Sequence, residues 1–239
     1  MGLTITELRS RLARSIRGAS HDQSRKPATT TAAQTTRRLR PARAEFISDQ
    51  IYQGRLDTAD SCKQQTTVAG TGLRWLRAEH HGRSTSSPEE ADLIAQQIGV
   101  LIGTPWTDQN SEEKPLTAMD FMVVTPYNDQ VHAIHDRLSR DELLASVRVG
   151  TVDKFQGGEA AVVLFSMTTF SDENIVRGTE FLFSRNRLNV VISRARYLAY
   201  LICTEELLNT RARTVEDMRL IGTLDAFVET ALDSRTDSA

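Results

Sequence analysis

The sequence predicts an α/β fold, an open parallel sheet with helices on both faces. Two features predict it: short apolar runs that do not alternate, and amphipathic helical segments between them. FMVV at 121–124, AVVLFSM at 161–167 and YLAYLIC at 197–203 are short apolar runs without alternation, as strands are when both faces are covered. RVGT at 148–151 and GLRWL at 72–76 are weaker candidates of the same kind. Strands alternating with helices imply right-handed crossovers, and 239 residues suffice to bury a sizeable core.

Along the chain, residues 1–35 form a basic segment expected to be flexible, because HDQSRKPATTTAAQTT is poor in apolar groups. Residues 1–43 hold ten Lys/Arg against two Asp/Glu, a local charge of +8, while the rest carries 19 against 29. A basic arm ahead of an acidic domain suits a nucleic-acid contact, and a solvated tail has the same composition. From Pro41, the apolar residues Phe46, Ile47 and Ile51 give a short helical face before Gly54.

Ser87-Pro88-Glu89-Glu90 is a fuller helix start. Ser87 is the N-cap, Pro88 occupies the first helical position and Glu90 reaches back in a capping box. Ile94, Ile98, Leu101 and Ile102 then mark one buried face. In RNRLNVVISRAR at 185–196, the residues Leu188, Val191, Ile192 and Ala195 form a helical stripe flanked on one side by Arg187 and Arg194 and on the other by Asn189 and Arg196. Arginines at such margins have packed stems and forks suited to phosphate oxygens, although a solvated basic face shows the same pattern.

No apolar run reaches the roughly 18–20 residues that span a bilayer, and the N-terminus lacks a signal-peptide core, so no membrane partner and a cytoplasmic location are expected. Cys62 and Cys203 have neither disulfide-framework numbers nor metal-ligand spacing, and no metal site is expected. His80, His81, His132 and His135 are expected at the solvent, Trp75 and Phe155 in the core, and Trp106 as a local anchor.

Open α/β sheets meet ligands beyond the carboxyl ends of their strands, where TPYNDQ, VDKFQGGE and the loop after YLAYLIC fall. GTVDKFQGGEA at 150–160 gathers Thr151, Asp153, Lys154, Gln156 and Glu159 at the mouth of a buried strand, a cost that a solvated loop or a ligand would offset.

Five segments taken together resemble a known family: TRRLRPARAEFISDQIYQGRL at 36–56, SSPEEADLIAQQI at 86–98, VVTPYNDQV at 123–131, VGTVDKFQGGEA at 149–160 and RNRLNVVISRAR at 185–196. They look like the second motor domain of superfamily 1 helicases, in the branch containing the nonsense-mediated-decay helicase, and particularly like bacterial members in which a RecB-like nuclease precedes the helicase. The resemblance covers residues 36–232 and leaves 233–239 as a flexible tail.

That resemblance implies a RecA-like, P-loop NTPase-type fold without a P-loop of its own, and ATP with Mg2+ as cofactors. Arg194 matches the arginine finger and Arg38 a second catalytic arginine, although Arg37 stands where relatives have a tyrosine. Glu159, Gly158, Gln156 and Arg187 match nucleotide-facing positions, and Gly158 replaces an arginine found in some relatives. Thr125, Pro126, Tyr127 and Thr151 match positions that face the nucleic-acid backbone. The implied partner is single-stranded nucleic acid, DNA in preference to RNA.

The chain contains no Gly-Lys dipeptide and therefore no G-x-x-x-x-G-K-[ST] loop. The expectation is a truncated, split or separately encoded C-terminal helicase domain, inactive alone and completed by a P-loop-containing partner in trans. The alternative is a nucleic-acid-binding module or a degenerate helicase fragment without ATPase activity.

Overall fold

The computed structural model describes residues 34–36, 56–58, 66–67, 70–107, 112–155, 158–168, 185–210 and 215–236, all within one compact unit, Ala33–Ala239. The proposed helix after Pro41, residues 1–33 of the basic segment 1–35 and Cys62 lie outside the described residues.

Five parallel strands make the central sheet: β4 (Gly72–Arg77), β7 (Phe121–Val124), β8 (Arg148–Gly150), β9 (Ala160–Ser166) and β10 (Ala195–Cys203), in the order β4-β10-β9-β7-β8. Each coincides with one of the five apolar runs. Side chains alternate across the pleat, so one strand serves two cores. Met122, Val124, Val163 and Phe165 enter one apolar cluster, while Phe121, Val123, Val162 and Leu164 enter the other. Complete burial on both faces is why these runs do not alternate.

Helices α1 (Pro88–Leu101) and α2 (Asn128–Leu138) supply Ile94, Ile98, Ile134 and Leu138 to the second cluster. The first cluster is closed by α3 (Arg185–Arg194), α4 (Glu205–Leu208) and α5 (Val215–Thr236). The result is the expected α/β arrangement, an open parallel sheet with helices on both faces.

Two other sheets were not foreseen. Strands β1 (Gln34–Thr36) and β2 (Leu56–Thr58) pair in parallel. Strands β3 (Thr66–Thr67), β5 (Pro105–Thr107) and β6 (Glu113–Pro115) form an antiparallel sheet. Prolines and charged residues hide β5 and β6 from a reading by periodicity. Trp106 anchors this small sheet as expected: its ring meets Tyr197 edge-on at 4.8 Å, and Lys114 Nζ lies 4.6 Å above it.

Two expectations need correction. The helix carrying the arginines ends at Arg194, because Ala195 is already paired with Ala160 in the β9–β10 ladder. Ala195 is buried as a strand residue, and a register shift between it and Leu198 accommodates the change. His80 is buried, not at the solvent. The Ala78 amide donates to Cys203 O at 2.9 Å, extending the β4–β10 pairing, and the in-out alternation beyond it turns His80 inward and His81 outward.

Ile98 is fully buried and Val100 is 66% exposed on the same helix. Ile98→Ala is expected to cost about 2–5 kcal/mol in urea unfolding, and Val100→Ala to stay within about 0.5 kcal/mol of the parent.

Candidate functional site

The residues singled out from the sequence separate to opposite ends of the sheet. Val124 is level with both Gly150 and Phe165. The segment 151–159 must therefore leave the carboxyl end of β8, pass β7 and return about five residues, roughly 16 Å at strand rise, to enter β9 at Ala160. Thr151 stays at the carboxyl end. Gly158 and Glu159 arrive at the amino end, so only part of the VDKFQGGE loop lies where the carboxyl-end rule placed it.

At the amino end, Glu159 and Arg194 immediately precede the paired residues Ala160 and Ala195 and are thus neighbours across two adjacent strands. Arg194 closes α3, where the carbonyl end of the helix favours a cation. Its Nε is buried with no hydrogen-bond partner. Arg196 Nε donates to Glu159 Oε2 at 3.1 Å, and Arg148 donates through Nη2 to the carbonyls of Glu159 and Met119 at 3.1 and 3.0 Å. A Cβ on Gly158 would lie 3.2 Å from Cε of the fully buried Met122, so the glycine admits this close passage. Phe155 is half-buried against the first core cluster, in keeping with a packing role. Arg38 and Gln156 lie outside the described residues, as does the side chain of Arg187.

At the carboxyl end, Thr125 and Pro126 are buried while Tyr127 and Thr151 are half-buried. The Thr125 amide donates to Gly150 O at 3.1 Å, joining the ends of β7 and β8, and its hydroxyl is buried without a partner. Of the four residues matched to the nucleic-acid side, Tyr127 and Thr151 are the two with exposed surface.

Beneath this end lies a buried polar knot. Ser87 Oγ accepts the Glu90 amide at 3.2 Å, as an N-cap should, but the reciprocal limb of the capping box is absent. The Ser87 amide donates instead to Gln130 Oε1 at 2.8 Å. That leaves the Glu90 carboxylate free to turn inward. It receives Ser166 Oγ at 2.6 Å, His80 Nε2 at 3.0 Å and the Thr168 amide at 3.2 Å to each oxygen. Gln130 Nε2 donates to Ser87 O at 3.1 Å and Ser166 Oγ at 3.0 Å.

Thr168 has φ 59°, a left-handed conformation that costs a β-branched residue on the order of 1–3 kcal/mol. The Glu90 carboxylate grips its amide there. The buried Cys203 thiol is pushed up by desolvation and secondarily by Glu90, so it behaves as a protonated core group.

The third cluster, after β10, borders a groove lined by Arg77, Glu79, His81, Thr204, Glu205 and Glu206. Arg77 pairs with Glu205 at 2.8 Å and His81 with Glu206 at 3.2 Å. Among the described residues, no group of three His, Cys, Asp or Glu could hold a metal ion, and no helix is long and apolar enough to cross a membrane.

Sequence reasoning missed Arg148 and the inward, hydrogen-bonding roles of Gln130 and Glu90. Gln130 did carry a signal: it sits four and eight residues before Ile134 and Leu138, a polar residue on an apolar stripe.

A family model described as an AAA domain matches residues 19–206. The DNA polymerase alpha-associated DNA helicase A of Schizosaccharomyces pombe is 36% identical over 113 residues, 47% of this chain and 15% of that protein. The mouse DNA-binding protein SMUBP-2 is 31% identical over 145 residues, 61% of this chain and 13% of its own length. The Regulator of nonsense transcripts 1 homolog of Arabidopsis thaliana is 27% identical over 180 residues, 67% and 13% respectively. The chain thus spans 15% or less of the length of these three relatives.

One titration prediction arises at the start of α1. Two hydrogen bonds from Arg83 hold the Glu89 carboxyl down at about 2. A depressed folded-state value stabilises the fold above the unfolded carboxyl range, near pH 4.3, and the contribution is lost as pH falls through 2. The difference in melting temperature between parent and Glu89→Gln is expected to be full at pH 5 and to vanish near pH 2. Because the pair is partly exposed, the difference is also expected to shrink with added salt.

Proposed function

The chain belongs to the AAA domain family, and from that premise we propose that residues 36–232 act as the second motor domain of a superfamily 1 helicase of the nonsense-mediated-decay branch. In this reading the amino end of the sheet faces ATP and Mg2+ held by a P-loop domain outside these 239 residues. The carboxyl end faces single-stranded nucleic acid, DNA in preference to RNA.

The observation that carries the reading is Arg194. It is fixed at the junction of α3 and β10, with a buried Nε that has no protein partner, while neighbouring Arg196 is engaged with Glu159. Phosphoryl transfer asks a protein mainly for positioning and for cationic groups around the transferring phosphoryl. The residues here would supply such a cation. The P-loop and the magnesium carboxylate would come from the other domain.

Tyr127 and Thr151 suit the opposite task. An aromatic ring stacks on any base, and a hydroxyl with a strand-end amide meets phosphate. The absence of a Gly-Lys dipeptide from these residues favours a second reading, a binding module that does not hydrolyse ATP.

Two experiments separate the readings. With the P-loop domain present, in one polypeptide or mixed, Arg194→Ala is expected to lower the ATPase rate by about 10³-fold or more while leaving ATP affinity nearly unchanged. An unchanged rate would rule out the finger. For the chain alone, Tyr127→Ala is expected to weaken single-stranded DNA binding by about 1–3 kcal/mol, read as fluorescence anisotropy at low salt. A parent chain that shows no binding there would reject the nucleic-acid reading.

A further inference from the structure

We propose that Gln130 and Ser166 are positioning residues for nucleic-acid contact: they lock α2 to the sheet and so set where Tyr127 stands relative to Thr151. The inference rests on the reading that Tyr127 and Thr151 meet nucleic acid.

Tyr127 is the N-cap of α2, with φ −112° and ψ 136°, and makes no side-chain cap hydrogen bond. Its carbonyl accepts the Val131 amide at 3.0 Å, so its backbone moves with the helix. Thr151, by contrast, follows β8 directly and moves with the sheet. The geometry between the two contact residues is therefore the geometry between α2 and the sheet.

Ile134 and Leu138 pack α2 onto the sheet, but apolar contacts alone permit sliding and rotation. Gln130 supplies direction. Fully buried in the first turn, it grips both the amide and carbonyl of Ser87 and donates to Ser166 Oγ on β9. Ser166 passes the constraint to Glu90 at 2.6 Å, the residue that also holds Thr168. A glutamine costs more to bury than a leucine unless its amide is satisfied, so the position carries a hydrogen-bonding role beyond packing.

The test is a double-mutant cycle on the 239-residue chain, read by anisotropy with fluorescein-labelled oligo(dT) at low salt. Gln130→Leu is the direct variant. Ser166→Ala is the milder one, and it decides the matter if Gln130→Leu does not fold. Ser166→Ala is expected to unfold cooperatively and to bind roughly three- to tenfold more weakly, with an unchanged salt slope because phosphate contacts are kept. Combined with Tyr127→Ala, it is expected to add no further loss beyond about twofold, since the positioned group is gone. Ile134→Val, which lowers the melting temperature without touching the hydrogen bonds, is expected to bind like the parent.

Parent-like binding by Ser166→Ala, a loss that multiplies fully with Tyr127→Ala, or an equal loss in Ile134→Val overturns the inference. If the parent does not bind, or Tyr127→Ala binds like the parent, the reading of Tyr127 fails and the inference with it.

Discussion

The Glu90 carboxylate is the constraint on which the carboxyl end of this sheet depends. It is 1% exposed and sits in the first turn of α1, where a capping residue would ordinarily remain at the surface. A buried carboxylate is tolerated only when its oxygens are occupied, and here a hydroxyl, an imidazole and a main-chain amide occupy them. Those donors come from the end of β9, the chain leaving β4 and the residue that follows Met167. One side chain thereby fixes three segments that apolar packing would leave free to shift. The left-handed Thr168 is a consequence, since its conformation is held by the same two oxygens.

The second organising element is the passage from β8 to β9. It is short for a connection between parallel strands that skips over a neighbour, and it joins the two ends of the sheet by nine residues. Gly158 admits the close approach to Met122, and Arg148 pins the Glu159 carbonyl where the segment turns into β9. Within one loop, Thr151 and Glu159 consequently address different surfaces. In the proposed motor, nucleotide at one end of the sheet and nucleic acid at the other would be linked through this rigid body.

Much of the fold was legible. Five apolar runs became five parallel strands, because burial on both faces leaves no polar alternation to confuse the signal. Ser87 and Pro88 marked the start of α1 correctly. The antiparallel strands around Trp106 were not legible, being built from proline, threonine and charged residues whose pairing is decided by neighbours distant in sequence. The end of α3 was misplaced by two residues, because Ala195 satisfies a helical stripe and a strand ladder equally well.

The sequence by itself determined the sheet, its layers and the arginine-bearing helix, since periodicity and capping act over a few residues and need no partner. Only the tertiary structure decided how the polar groups are used. Whether Glu90 closes its own cap or enters the core depends on Gln130 taking the Ser87 amide, across 43 residues of chain. Whether His80 meets water or a carboxylate depends on the reach of the β4–β10 pairing. Hydrogen bonds of this kind are settled by which groups the folded chain holds within about 3 Å of each other, and that distance exists only once the helices have packed.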